Sequence, residues 1–270
     1  MKRVPAEPGT LEARTLRGCL RRQRSTRHVK VTEVGRPPSE HSSRDFEAEL
    51  RELRAHLLAM GARCERLVRL AFDAFLRDDP ASADDVADLD VRIDRDELEI
   101  HALILRILAL RQPVADDLRF LATALRLTTD LERIGDEAVN IFERAVEQNG
   151  RAQRQVVGQL VAMSSAALDM LHVALEAFVH WDDEQADHVL SCDDEVDRQC
   201  AMVIAAMTTY ISEHSQDVRS GLRSIRVAKY LERIADHATN IAEEIIFMVR
   251  GDDVRHGGWA LAGHPPFQRA

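Results

Sequence analysis

Residues that interrupt helices or favour strands are scarce in this sequence. Its 270 residues include only 12 glycines and 8 prolines, and aromatic residues make up 4% of the chain. Leucine, alanine, arginine and glutamate are abundant instead, and these residues favour helices over strands. The composition therefore predicts an all-α protein, with enough residues for one large domain or two small ones.

Cysteines and long apolar runs are scarce as well. The four cysteines, Cys19, Cys64, Cys192 and Cys200, form no CxxC pair and no metal-ligand spacing, which favours reduced thiols in a cytosolic protein. No apolar run approaches the roughly 18 residues that a membrane span needs. No apolar segment follows the first basic residues either, so we expect no secretory signal.

Charge is distributed unevenly along the chain. Residues 1–43 hold ten Lys/Arg and four Asp/Glu, a net charge of +6. Since the whole chain has a net charge of −10, residues 44–270 carry −16. An acidic body argues against nucleic-acid binding. Because residues 1–43 lack helical periodicity, we expect a disordered basic tail. Such a tail suits nucleic acid or anionic lipid, or it has no role, or translation starts downstream of it.

Helical periodicity begins near Arg44 and continues to about residue 250. Interruptions such as "RDDPAS", "HWDDE" and "SEHSQD" separate six predicted helices. Pro113 is expected in the first turn of the third helix, and Gly150 is expected to end it. The predicted helices cover residues 44–77, 82–111, 113–149, 152–180, 183–213 and 216–250, followed by a flexible tail at 251–270.

An internal repeat organises these helices. Residues 119–144 align with 219–244 at an offset of 100, with 11 identities in 26 positions. "DLERIGDEAVNI" from Asp130 returns as "YLERIADHATNI" from Tyr230. Since short loops make neighbouring helices antiparallel, we predict two tandem three-helix bundles related by internal pseudo-symmetry, at residues 44–150 and 151–250.

The repeated stretch separates apolar and acidic residues onto different helix faces. On a helical wheel, Glu132 and Asp136 lie roughly 130–170° from the centre of the apolar stripe. Glu232 and Asp236 repeat this placement. The stripes consist of Leu127, Leu131, Ile134, Ala138 and Ile141 in one copy and Val227, Leu231, Ile234, Ala238 and Ile241 in the other. The carboxylates are therefore expected outside the bundle cores, unlike those of ferritin-like di-iron enzymes.

The second and fifth predicted helices also carry pairs of carboxylates at i, i+4 spacing. If antiparallel packing brings each pair beside the pair on the following helix, two quartets of carboxylates form. The first quartet is Asp90, Asp94, Glu132 and Asp136, and the second quartet is Asp193, Asp197, Glu232 and Asp236. Asn140 and Asn240 are candidate outer ligands. Such oxygen ligands suit Mg, Mn, Ca or iron, and zinc more weakly. The alternative is a solvated acidic face with helical ion pairs such as Arg133–Glu137.

Repeated arginines follow the carboxylates. Arg119, Arg126 and Arg133 recur as Arg219, Arg226 and Arg233, and they suit either salt bridges to neighbouring helices or contact with an acidic partner or phosphate. The sequence contains no P-loop, GxGxxG, GxSxG or HExxH motif. The sequence therefore contains few signs of catalytic function.

The repeated stretches resemble the PhoU family of phosphate-signalling proteins. The resemblance rests on "RQPVADDLRFLATALRLTTDLERIGDEAVNI" from Arg111 and "DVRSGLRSIRVAKYLERIADHATNIAEEI" from Asp217. It covers residues 44–250 and implies paired three-helix bundles. It also implies metal ligands at the eight carboxylates of the two quartets.

What the resemblance implies for function is a cytoplasmic, non-enzymatic regulator. Family members restrain phosphate uptake and the phosphate-starvation response by linking the Pst ABC transporter, through its ATPase, to a sensor histidine kinase. A homodimer is expected. The alternatives are a metal store or metal-dependent enzyme built on the carboxylates, and a purely structural helical module.

Overall fold

The computed structural model describes residues 44–79, 82–147 and 153–251. Every regular element in those ranges is helical. The predicted tail at 1–43, the predicted tail at 251–270 except for its first residue, and the expected stop at Gly150 lie outside them. The helices are α1 (Arg44–Arg77), α2 (Ala83–Arg111), α3 (Ala115–Val146), α4 (Val157–His180), α5 (Asp183–Leu190), α6 (Asp193–Glu213) and α7 (Val218–Arg250), with a 3-10 turn at Ser215–Asp217 before α7.

All six predicted helices are present, and two details differ. The fifth is interrupted at Ser191 and Cys192, which divides it into α5 and α6. The prediction that Pro113 lies in the first turn of the third helix is wrong, because α3 begins at Ala115. Gln112 ends α2 in the left-handed conformation, and Pro113 cannot donate a backbone hydrogen bond. These two residues therefore separate α2 from α3.

Two three-helix bundles form the molecule. Helices α1, α2 and α3 pack together, and α4, the α5–α6 pair and α7 form the second bundle. The predicted apolar stripes of α3 and α7 are confirmed as core. Every residue of both stripes is fully buried.

The bundles meet along α3 and α7. Residue numbers rise along α3 as their partners on α7 fall: Arg126 pairs with Glu244 at 2.6 Å, Asp130 with Asn240 at 3.2 Å, and Glu137 with Arg233 at 3.1 Å. The two helices are therefore antiparallel. The offset of 100 residues places each helix in the equivalent position of the other copy, as pseudo-symmetry requires.

A second contact between the bundles is aromatic. Phe120 of α3 stacks on Phe178 of α4, with ring centroids 5.6 Å apart, and on Trp181 at 6.0 Å. The guanidinium of Arg54 on α1 lies over both Phe120 and Trp181, at 4.9 and 5.7 Å. A cation over aromatic faces is attracted by their quadrupoles, so this cluster holds α1 and α3 against α4.

Helix α4 is more apolar than the sequence reading allowed. Among the described helices, Val157–His180 alone has the length and composition to cross a membrane, contrary to the expectation that no segment approaches this requirement. Of its most apolar window, 61% is buried inside the protein, where α4 packs against α7 and α1. Its apolar surface is thus used in the bundle core. Cys64, Cys192 and Cys200 are buried and form no disulfide bond with one another.

Arg223 on α7 is buried between the two bundles, with 2% of its side chain exposed. It donates to the Asp78 carboxylate at 2.8 Å and to the Ala145 carbonyl at 3.3 Å. Its guanidinium also lies 5.0 Å from the centre of the Phe75 ring. Three groups of the first bundle therefore depend on one side chain of the second.

Replacing Arg223 by alanine is expected to lower the free energy of unfolding by about 2–3 kcal/mol, because charge-assisted hydrogen bonds and buried packing are lost together. Urea unfolding monitored by circular dichroism measures this. The matched control is Arg226→Ala, since Arg226 is half exposed and lies 3.6 Å from Glu147. The control should lose no more than about 1 kcal/mol. Equal losses in both variants would contradict the assignment.

Candidate functional site

The second quartet contains a compact group of three carboxylates. Oxygen atoms of Asp193, Asp197 and Asp236 all lie within 4.8 Å of one another. The i, i+4 spacing places the first two on one face of α6, and the antiparallel packing of α7 brings Asp236 beside them. Three hard oxygen ligands at this separation fit a divalent cation. In the part of the chain that the structure describes, no other group of acidic, histidine or cysteine side chains meets this geometry.

The fourth carboxylate of this quartet is already paired. Lys229, one turn earlier on α7, donates to Glu232. The Thr239 hydroxyl donates to Asp193 at 3.2 Å. Cys200 is buried beside the quartet, where burial and the neighbouring Glu232 carboxylate raise the pKa of its thiol to about 12. The thiol is therefore protonated at neutral pH, and the quartet offers oxygen ligands rather than sulfur.

Desolvation and neighbouring negative charges favour the protonated form of Asp236. Its carboxyl is exposed at the surface, yet desolvation by the surrounding protein, followed by the charges of Asp193, Glu232 and Asp197, raises its pKa from 3.8 to about 6. The pKa of Asp193 is also raised, by desolvation and then by Asp197. Carboxylates that repel one another in this way are stabilised by a cation.

The first quartet lies at the equivalent positions of α2 and α3, although its oxygen atoms do not meet the same close geometry. Desolvation and then the charges of Asp94 and Asp136 raise the pKa of Asp90. The pKa of Glu132 is raised by desolvation, then by Asp136 and by Glu97. The four predicted carboxylates therefore interact electrostatically, and Glu97 adds to this interaction. Sequence reasoning missed Glu97, although its spacing of seven residues from Asp90 places it on the same face.

The two quartets are equivalent in position but differ in their neighbours. At the offsets that align the copies, Glu97 corresponds to Cys200 and Thr129 to Lys229. The first quartet thus has an additional carboxylate where the second has a neutral thiol. The second quartet also has Lys229 bound to its Glu232 carboxylate, whereas the counterpart in the first quartet, Thr129, is uncharged.

The asparagines predicted as outer ligands belong to other contacts. Asn140 donates to Glu137 at 3.3 Å, and Asn240 donates to Asp130 across the bundle interface. His237 approaches the same Asp130 carboxylate at 2.9 Å. The asparagines therefore support the junction between α3 and α7, and their role as outer ligands stays a prediction.

The arginine repeat divides between bundle contacts and local pairs. Arg126 and Arg233 form salt bridges between the bundles, whereas Arg133 lies 3.5 Å from its neighbour Glu132. The expected Arg133–Glu137 pair is replaced by the Arg233–Glu137 contact between bundles.

A cleft of about 470 Å³ opens beside the Arg126–Glu244 salt bridge. It is lined by His101, Leu125, Arg126, Thr129, Asp130, Asn240, Glu243 and Glu244.

The raised pKa of Asp236 predicts a pH-dependent stability in metal-free protein. Between its ordinary value of 3.8 and about 6, the folded state binds more protons than the unfolded state, so stability should fall as pH rises through this window. Asp236→Asn should therefore raise the melting temperature at pH 7.5 and change it little at pH 4. Thermal unfolding in EDTA measures the difference.

The matched control is Asp73→Asn, which alters an exposed carboxylate 3.7 Å from Arg77 on α1 and should leave the pH dependence unchanged. A lower melting temperature of Asp236→Asn at pH 7.5 would show that the Asp236 charge stabilises the fold, contrary to this assignment.

Known proteins resemble this chain in both bundles. The PhoU domain model matches residues 57–145 and 160–245, one match in each bundle. The "Phosphate-specific transport system accessory protein PhoU homolog" of Pseudomonas aeruginosa is 40% identical over 220 residues, covering 81% of this chain and 90% of the relative.

Solved structures of the family share the fold. PhoU from Pseudomonas aeruginosa superimposes with a TM-score of 0.72 at 38% identity, over 76% of this chain and 99% of that one. The phosphate transport system regulatory protein PhoU from Streptococcus pneumoniae gives 0.71 at 26% identity, over 77% and 99%. The predicted all-α fold of tandem three-helix bundles is thereby confirmed, as is the resemblance from which it was drawn: this chain belongs to the PhoU family.

Proposed function

We propose that this chain is a non-catalytic accessory regulator of phosphate transport. The observation that carries the proposal is that both bundles match the PhoU domain and that relatives over most of the chain's length are named as phosphate-specific transport accessory proteins. The two quartets also suit this role, because both lie on outward helix faces, where another protein can reach them.

The finer proposal is negative regulation. The chain, acting in the cytoplasm, restrains phosphate uptake and the starvation response by linking the Pst transporter ATPase to a sensor histidine kinase. Its structure suits a docking protein. The salt bridges and aromatic contacts between the bundles fix the two acidic faces relative to each other, so both can engage partners without rearrangement. Acidic faces attract basic partner surfaces and speed their encounter.

The quartets are also proposed to hold metal ions. Asp193, Asp197 and Asp236 would supply carboxylate oxygens in the second copy, and Asp90, Asp94 and Asp136 in the first, with Glu132 and Glu232 beside them. A bound divalent or iron ion would supply positive charge that neutralises the quartet. The chain's own residues set the remaining charge: Lys229 offsets Glu232 in one copy, and Glu97 adds a negative charge in the other.

Deleting the gene is expected to make alkaline phosphatase expression and phosphate uptake constitutive in high-phosphate medium, because the link between transporter and kinase is lost. A phosphatase assay and labelled-phosphate uptake measure this. Full repression in the deletion strain would refute the regulatory proposal. Normal repression restored by plasmid-encoded chain excludes an effect on neighbouring genes.

Metal binding by the second quartet is testable on purified protein. Mn²⁺ at about 100 times its dissociation constant is expected to stabilise the fold by about 2.7 kcal/mol per site. Asp193→Asn/Asp236→Asn should remove one site's share of both the stabilisation and the bound Mn²⁺ counted by elemental analysis after equilibrium dialysis.

The control for metal binding is Asp73→Asn, an exposed carboxylate on α1 that should leave the Mn²⁺ content unchanged. A wild-type protein that binds no Mn²⁺, Fe²⁺ or Mg²⁺ while still repressing phosphatase expression would rule out the metal role. It would leave the regulatory role intact. Turnover of a substrate that depends on bound metal would instead favour the enzyme alternative.

A further inference from the structure

The connection between α2 and α3 carries an exposed apolar surface. Leu110 in the last turn of α2, Val114 in the connection and Leu118 in the first turn of α3 are 67%, 66% and 48% exposed. They follow one another at four-residue spacing around one sharp turn, and the Leu118 N–H approaches the Val114 carbonyl at 3.5 Å. We call Leu110, Val114 and Leu118 the turn patch. Large apolar side chains that face water together are typical of a surface that another segment covers.

The corresponding connection of the second copy is polar. Between α6 and α7 the chain reads "SEHSQD" at residues 212–217. The Tyr210 ring stacks on His214 with centroids 4.3 Å apart, and its hydroxyl donates to Asp217 at 2.7 Å. The duplicated unit therefore closes this turn with polar residues that satisfy one another. Because the bundle does not require an apolar turn, the turn patch points to a contact made by the first copy alone.

The last helix ends beside the turn patch. Gly251 follows α7 with a φ of +78°, and a Cβ at this position would lie 3.3 Å from Nη1 of Arg119. Arg119 is the neighbour of Leu118 in α3. Trp259 comes eight residues after Gly251, a length that an extended chain spans in roughly 28 Å. The turn patch is therefore within reach of residues 252–270.

Residues 252–270 have a composition that suits an apolar surface. They contain Trp259, Leu261 and Phe267, and their two aspartates are balanced by two arginines. A covered tryptophan buries roughly 150–250 Å². A segment joined to the body through a short connection is also present at high effective concentration beside any surface that it can reach. Even a small apolar contact is therefore sufficient to hold it in place.

The basic N-terminal segment is a less suitable occupant. The charges beside the turn patch are paired, since Arg111 donates to Glu49 at 2.9 Å and Arg119 donates to Asp116 at 2.5 Å. Paired charges offer little attraction to residues 1–43, whose net charge is +6. The near-neutral residues 252–270 depend on apolar contact instead, which the turn patch provides.

We propose that residues 252–270 fold back over the turn patch of the same chain, with Trp259 and Leu261 covering Val114 and Leu118. In an extended segment, residues two apart point to the same side, so both side chains can face the patch. The segment then controls whether this end of the molecule is open to another protein. It lies beyond residues 160–245 of the second PhoU domain match, and the proposal is independent of the proposed phosphate role.

Cysteine crosslinking of the full chain tests the contact. Val114→Cys/Ala260→Cys, oxidised with diamide, is expected to join residues 114 and 260 within one chain, as identified by mass spectrometry of the monomer band. The matched control is Glu184→Cys/Ala260→Cys. Glu184 is exposed and follows Asp183, which binds Arg250 at 2.6 Å, so it lies near Gly251 but away from the patch. The control should form its bond about tenfold more slowly.

Other products of the same reaction would overturn the proposal. Equal rates for the two variants would show that the segment has no preference for the turn patch. A bond from residue 114 to Cys19 would assign the patch to the N-terminal segment. A bond from residue 114 of one chain to residue 260 of another would assign it to a second copy. Cys64, Cys192 and Cys200 are buried and should not take part.

Tryptophan fluorescence tests the same contact without a crosslink. The chain has two tryptophans, so Trp181→Phe leaves Trp259 as the single emitter. Its emission is expected at shorter wavelength than in urea-unfolded protein, independent of protein concentration. Adding Val114→Asp/Leu118→Asp should shift the emission to longer wavelength and raise quenching by acrylamide about threefold, because the indole then returns to water.

The control for fluorescence is Leu222→Asp, which alters an exposed leucine (43%) near the start of α7, at the opposite end of that helix. It should leave the emission of Trp259 unchanged, and circular dichroism checks that every variant is folded. Emission equal to that of the unfolded chain, or emission unaffected by Val114→Asp/Leu118→Asp, would overturn the proposal.

Discussion

The antiparallel contact between α3 and α7 is the constraint on which the rest of the molecule depends. Each of these helices must bury one face in its own bundle and a second face against the other helix. Only a third face remains for solvent. On α3, Leu131 lies on the first face, Asp130 and Glu137 on the second, and Glu132 and Asp136 on the third. Pseudo-symmetry imposes the same division on α7, so Leu131, Glu132 and Asp136 recur 100 positions later. The second face differs, because Tyr230 and His237 stand where α3 has Asp130 and Glu137.

Local periodicity explains why the cores could be predicted and the bundle junction could not. Leu131 and its neighbours repeat at helical spacing, which the sequence displays directly. The partner of Glu137 is Arg233, 96 residues away, while Arg133 offers a closer candidate at i, i+4 spacing. Nothing local favours the distant arginine, since its proximity results from the packing of two helices. The interruption at Cys192 was missed for another reason: no glycine or proline marks it, and Ser191, Cys192 and Asp193 are only weak helix formers.

At the quartets, identity between the copies revealed the carboxylates, and differences between the copies set their electrostatics. The eight acidic residues could be found because each pair repeats at the same spacing. Lys229, Cys200 and Glu97 could not be found in this way, because each differs from its counterpart in the other copy. These three side chains nonetheless determine how much negative charge each quartet retains. A search for repeated residues is by its nature blind to the residues that make the two quartets unequal.

Divergence after duplication therefore has a recognisable pattern in this protein. Residues facing inward are similar in both bundles because both must bury the same kind of core. Outward positions differ: Leu98 of α2 stands where α6 has Ala201, and Glu97 stands where α6 has Cys200. Both differences fall on adjacent positions of one helix, beside one quartet. A partner that recognises the first acidic face would meet a different charge and a different neighbouring surface on the second. The duplicated fold thus presents two distinguishable faces on a rigid, nearly symmetric scaffold.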